Sequence, residues 1–330
     1  MFGRYYLIVA IAFLLSSCFK EDQKIILPQN ESIVQSFYMG NAYQNQYFFN
    51  LEANEYTVSD LSNWDLAFST SNENIIRINY GRDIFAYNTN KKQLELPLSI
   101  SPSEWKYDYP AAPPDSTVFI GWQNTDEWSN VYIVDLGRSL QHKDRYLFLQ
   151  IKAQGTESYK IKFGYLSDTT NQREVEIPKN ENVNFVYYSL QNQKFINDFE
   201  PNNSEWDILF TRYRHIFYLD PEGKEPFPYL VTGVLLNPNK VSMAIDSVSG
   251  FENISLASVQ NLDFSTKEDG IGYAWKNFDY TVTFAYTINP NNIYVVKNAS
   301  GSYFKIKFID FYNKDKQRGY PKFEFQKILR

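Results

Sequence analysis

Cysteine is nearly absent: Cys18 is the only one in 330 residues. That excludes an internal disulfide, a cysteine-based metal site and a cysteine nucleophile in the chain that follows it. Histidine is almost as scarce, with only His142 and His215. There is no His-Glu-x-x-His, no Gly-x-Ser-x-Gly and no phosphate-cradling glycine loop. Carboxylates are plentiful, but no spacing singles out a hydrolytic pair. We therefore expect no enzyme. Positive charge is in deficit, with 32 Lys and Arg against 38 Asp and Glu. No basic patch stands out, which argues against nucleic acid as a partner.

What is present begins at the N-terminus. Arg4 is followed by an apolar run of eleven residues, Tyr5–Leu15. That run is too short to span a bilayer and suits a signal-peptide core. It ends in Leu15-Ser16-Ser17-Cys18, small residues before a cysteine, as in a bacterial lipobox. Residues 1–17 are expected to be a signal peptide and residues 18–24 a tether lipidated at Cys18. At about 0.8 kcal/mol per buried CH2, palmitate-type chains hold such a tether to a membrane without a spanning helix. Lys20, Glu21 and Asp22 resemble the charged signal that carries Bacteroidetes lipoproteins to the outer face of the outer membrane.

Aromatic residues make up 18% of the chain, with 26 Tyr and 26 Phe. Apolar and polar residues alternate in many short runs, which favours strands. Tyr159, Ile161, Phe163 and Tyr165 alternate with Lys160 and Lys162, one face dry and one wet. Asp279–Ile288 repeats the pattern and reads as one strand, with Tyr280, Val282, Phe284, Tyr286 and Ile288 on one side.

Tryptophan is rare, yet "SNWDLAFS" (Ser62–Ser69) returns as "SEWDILFT" (Ser204–Thr211). Other phrases return in the same order. Ile25–Glu31 pairs with Val175–Glu181, Tyr47–Glu52 with Val186–Gln191, and Gly121–Asp126 with Ala274–Asp279. Asn130–Val134 pairs with Asn292–Val296, and Tyr159–Phe163 with Phe304–Phe308. Duplication explains this order, and the period is far above that of solenoid repeats. The expected fold is all-β, two tandem related antiparallel domains over residues 25–170 and 171–330, meeting in the polar stretch Leu166–Glu174. Trp64 and Trp206 are expected to fill cores, and Asp65 and Asp207 to accept from nearby backbone amides.

Copy two, about residues 175–328, resembles the HmuY-like haem-binding surface lipoproteins of Bacteroidetes. The likeness rests on Trp206-Asp207 followed by Arg212-Tyr213, and on "IYVVKNASGSYFKIKFIDFY", Ile293–Tyr312. The resemblance implies an all-β lipoprotein on the outer membrane that binds haem for iron acquisition, with a TonB-dependent receptor as partner. It also implies two side chains gripping the iron from opposite sides. One follows the phrase Trp275-Lys276-Asn277-Phe278, where this chain places Tyr280. The other comes from the connecting region Lys240–Leu262, which offers Met243 and no histidine; His215 is a further candidate. Copy one has Glu127 opposite Tyr280, so copy two alone, from about residue 175, is expected to hold the site. The alternative is a non-haem interaction module on the same scaffold, binding a glycan, a peptide or an outer-membrane partner.

Overall fold

The computed structural model describes residues 31–123, 127–138, 140–220 and 222–329. Cys18, Lys20, Glu21 and Asp22, with the signal and tether segments, lie outside the described residues. Copy one holds β1 (Ile33–Ser36), β2 (Asn45–Asn50), β3 (Glu55–Asp60), β4 (Leu66–Ser69), β5 (Ile76–Ile78) and β6 (Phe85–Asn88). It continues with β7 (Tyr132–Asp135), β8 (Tyr146–Gln154) and β9 (Ser158–Tyr165). Copy two holds β10 (Arg173–Pro178), β11 (Phe185–Ser189), β12 (Lys194–Phe195), β13 (Ile208–Tyr218), β14 (Pro226–Leu236) and β15 (Ser242–Asp246). It ends with β16 (Lys276–Phe278), β17 (Tyr286–Ile288), β18 (Ile293–Lys297), β19 (Tyr303–Tyr312) and β20 (Arg318–Ile328). His142 opens a one-turn helix, His142–Arg145.

The sheets follow one plan twice. One five-stranded sheet runs β1-β20-β19-β18-β15 and its counterpart β10-β9-β8-β7-β6. One four-stranded sheet runs β14-β13-β2-β3 and its counterpart β12-β11-β4-β5. In each sheet, strands of one copy are completed by strands of the other. β1 pairs with β20, β10 with β9, β2 with β13 and β11 with β4, all antiparallel.

The expected division at 166–174 therefore separates two copies of sequence but not two bodies. The first three strands of each copy are built into the sandwich of the other. The cores show the same exchange. Phe37, Met39, Tyr47, Phe49 and Leu51 of copy one are buried among Phe210, Tyr294, Phe304 and Phe323 of copy two. Ile177, Tyr188 and Leu190 of copy two are buried among Phe68, Tyr132, Leu149 and Phe163 of copy one. A third core, with Phe48, Trp64, Phe199, Trp206 and Tyr213, lies where the two four-stranded sheets face each other. Alternation along each strand gives it two faces, and β2 uses both: Phe49 enters one core and Phe48 another.

The Trp-Asp phrases hold the exchange in place. Trp64 and Trp206 are buried in the central core. Asp207 Oδ2 accepts from the backbone N–H of Leu51, just past β2, at 2.7 Å. Asp65 Oδ2 accepts from Gln191 N–H and Ser189 Oγ, each at 3.1 Å, at the end of β11. Each aspartate thus fixes a strand of the other copy. Asn79 and Asn237 close the motif alike, donating to the carbonyls of Trp64 and Trp206 at 2.9 and 2.7 Å.

Two phrase pairings shift register in three dimensions. Phe304–Phe308 lies in β19, beside β18. Its counterpart by strand order is Leu147–Ile151 in β8, beside β7, rather than Tyr159–Phe163 in β9. Lys-Ile-Lys alternation suits either neighbouring strand, so local pattern alone misplaced it. Likewise β1 is the counterpart of β10, so Val175–Ile177 matches Gln35–Phe37 rather than the stretch starting at Ile25.

Candidate functional site

The long hairpin β13–β14 and the short hairpin β16–β17 border a groove of about 300 Å³. Its position begins with two glycines. Gly272, at φ +61°, lays its backbone on β14 through a pair of 2.9 Å hydrogen bonds with Val234. A Cβ on Gly233 would stand 2.4 Å from the Gly272 carbonyl oxygen, so only glycine permits this approach. Three residues on, Trp275 is buried and stacks on Phe308 with ring centroids 4.2 Å apart. These two contacts anchor the segment that carries the groove's wall.

The walls are aromatic, formed by Phe217 and Tyr229 from the long hairpin and Tyr273, Phe278, Tyr280 and Tyr286 from the segment facing it. Tyr286 is partly buried, which pushes its hydroxyl up to about 12. Lys276 also lines the groove and is 4% exposed. Its ammonium donates to the Thr232 carbonyl and lies 4.2 Å from the Trp275 ring centre and 4.8 Å from that of Phe311. Burial pulls its pKa down to about 7.

Asp279–Ile288 is not the single strand its alternation predicted. Asp279 accepts from the amides of Thr281, Val282 and Thr283 and from both threonine hydroxyls, which folds the chain into a turn. Those bonds, led by Thr283 N–H, hold the exposed Asp279 carboxyl below its usual range. Tyr280, Val282 and Phe284 are therefore 74, 78 and 68% exposed on a loop.

Of the candidate ligands, Tyr280 lines the groove. His215, on β13, is one ring away: it packs edge-on against Tyr273 and Phe217, at 4.7 and 4.9 Å, and both of those rings line the groove. Burial lowers its pKa from the usual 6.5. Met243 belongs elsewhere. It is 4% exposed in the sandwich core, paired with Val296 and tight against Gly270. Its placement corrects the expectation of a second ligand from the connecting region, because β15 uses that methionine to fill the core. Tyr273 and Lys276 were missed. A lone lysine inside "YAWKNFDY" was the available signal for the second.

A second groove, of about 720 Å³, lies on the outer face of β7 and β8, between Leu96, Leu98, Ile100, Trp105, Tyr146 and Leu166. In copy two the equivalent face is filled by the chain itself, with Phe251, Ile254 and Val259 packed on Ile293 and Val295.

Residues 233–325 match the family model described as HmuY protein. That stretch is thus HmuY-like, and it includes the groove segment with Tyr280 but not His215. No curated protein matches the chain. Among solved structures, the chain is similar to apo PinO from Porphyromonas gingivitis, at 10% identity over 91% of this chain and 98% of that one, TM-score 0.29. It is also similar to a putative HmuY_like heme binding protein from Bacteroides vulgatus, at 8% identity over 92% and 95%, TM-score 0.27. A third is the apo HmuY analog of Tannerella forsythia, at 12% identity over 91% and 98%, TM-score 0.26. At these identities and scores the likenesses add nothing to the family match.

Proposed function

We propose that the chain is a cell-envelope binding protein rather than an enzyme, and that the groove takes a flat tetrapyrrole, haem first among them. The observation that carries this reading is the set of six aromatic side chains lining one small groove, among them Tyr280, 74% exposed. At the small end of ligand pockets, the groove would seat an edge of the macrocycle rather than enclose it. Tested against haem, the walls fit a planar apolar ring, and Tyr280 offers a phenolate oxygen, a recognised axial donor. The residues do not fit a clamp on the iron from both sides, since Met243 is in the core and His215 is one ring removed. Bound haem would bring an iron that accepts one protein oxygen; the chain's own part is stacking and that single donor.

Ferric haem titrated into residues 19–330 should give a saturable, shifted Soret band. Tyr280→Phe should alter the band, whereas Met243→Ala should leave it unchanged. An unshifted spectrum with folded protein would sink the haem reading.

A second reading has its own support. Val282, Phe284, Tyr218 and Leu219 are exposed on the two hairpins without lining the groove. Such apolar tips suit contact with another outer-membrane protein, such as a TonB-dependent receptor. Location belongs to the same proposal: lipidation at Cys18 would anchor the chain in the outer membrane, and Lys20-Glu21-Asp22 would send it outward. Cys18→Ser should free it from membranes. A wild type that protease cannot shave from whole cells would refute the outward orientation.

A further inference from the structure

Lys276 is a buried cation without an anion. Among the described residues no carboxylate forms an ion pair with it, and only the Thr232 carbonyl accepts from it. An ammonium group has three N–H donors, so its bonding is incomplete. Lys305 makes the contrast. It too is buried and donates to a carbonyl, that of Phe251, at 2.7 Å, but Glu252 and Glu324 lie near enough to act on its charge. Around Lys276 the neighbours are the rings of Trp275, Phe311 and Tyr286. These attract a cation through their faces but cannot complete its hydrogen bonding. In a structural role here, an apolar side chain of similar length would cost less. Lys276 also lines the aromatic groove, together with Thr232, whose carbonyl accepts from its ammonium.

We propose that Lys276 is the anion-recognising group of the groove, pairing with a carboxylate carried by a flat aromatic ligand. The inference rests on the groove reading above but not on iron: Tyr280 and its neighbours stack on the ring, and Lys276 sets which edge of the ligand points inward. A carboxylate reaching the ammonium gains a charge-assisted hydrogen bond in surroundings that screen it poorly. Burial already lowers the affinity of Lys276 for its proton, and an arriving anion reverses that effect.

The test uses the full chain from residue 19 and two small fluorescent probes, pyrene-1-carboxylate and pyrene-1-carboxamide. They share a flat ring system and differ in charge. Wild type should bind the carboxylate at least tenfold more tightly. Lys276→Met should abolish that preference while leaving carboxamide binding in place. Methionine suits the surrounding rings, so thermal melting should show the variant at least as stable as wild type. Should it nonetheless fail to fold, a pH series on wild type replaces it: the carboxylate preference should fall as Lys276 loses its proton above about pH 7, and a preference unchanged up to about pH 9 would overturn the proposal. Equal affinities in wild type, absence of binding by both probes, or a preference that survives in Lys276→Met would each overturn the proposal. Haem titration in parallel separates the two readings. A clear carboxylate preference without a Soret shift keeps the anion site and removes the tetrapyrrole; a Soret shift without that preference does the reverse.

Discussion

Residues 171–330 expressed alone should not behave as a folded monomer. That segment is the whole of copy two and contains the HmuY match. Yet its sandwich is closed by five side chains of copy one, Phe37, Met39, Tyr47, Phe49 and Leu51, all 8% exposed or less. Burying each such side chain is worth about 1.5–3 kcal/mol. Their joint loss is on the order of 8–15 kcal/mol, as large as the whole stability of a typical domain, about 5–15 kcal/mol. β13 and β20 would also lose β2 and β1 and be left with open edges.

The same segment carries β10 and β11, which have lost their partners β9 and β4, with β12 still paired to β11. Two such chains can satisfy one another by the exchange the intact protein makes internally. Light scattering after size exclusion should therefore find a dimer or insoluble protein. A permuted chain, residues 198–329 joined by a short Gly-Ser linker to residues 31–60, should be a folded monomer. The join is short because Ile33 pairs with Phe325, so the end of β20 lies beside the start of β1. A monomeric 171–330 that melts cooperatively near the wild-type temperature would refute the reasoning.

Two further outcomes follow from buried acids. Asp207→Ala leaves the Leu51 N–H without its acceptor and should cost about 1–3 kcal/mol in urea unfolding; Asp65→Ala, which removes the carboxylate partner of Arg82 and the acceptor of Ser189 Oγ and Gln191 N–H, should cost at least as much. Burial raises Glu200 to about 7 and Asp108 and Asp207 to about 6, so the folded state binds more protons than the unfolded chain between those values and the ordinary carboxylate range. Their contribution therefore grows as pH falls from about 7 towards 4, and the melting temperature should rise from pH 7 to about pH 5. Lys276 works in the alkaline range: with its folded value lowered to about 7, its penalty is complete below that pH and fades as pH rises towards 10.5, a trend Lys276→Met should remove.

The strands were legible because alternation is a local property. Tyr159–Tyr165 has the sequence of a half-buried strand and forms one. The exchange was not legible for the same reason. Alternation says that Phe49 faces a core, but not which copy supplies it. Since the copies share their pattern, β4 and β13 present nearly the same face to an incoming strand. Choosing between them depends on the chain's route, which no window of ten residues contains.

The site divides along the same line. Tyr280 was singled out by its place after Trp275–Phe278 and lines the groove, yet its surroundings were misread, because the bonds of Asp279 to Thr281, Val282 and Thr283 outweighed the alternation around it. A side chain that turns the backbone decides local structure when nothing is packed on the segment, and residues 280–284 have little packed on them. Lys276 shows the opposite case. Trp275, buried against Phe308, anchors the start of β16, and the lysine that follows it is carried inward among the rings of Phe311 and Tyr286. Among the described residues no carboxylate pairs with its charge. The part of the site that sequence could not supply is thus the part set by tertiary contact: the approach of Gly272 to Gly233 brings Tyr273 and Lys276 against β13 and β14, and without that contact the aromatic residues of the two hairpins would be unrelated.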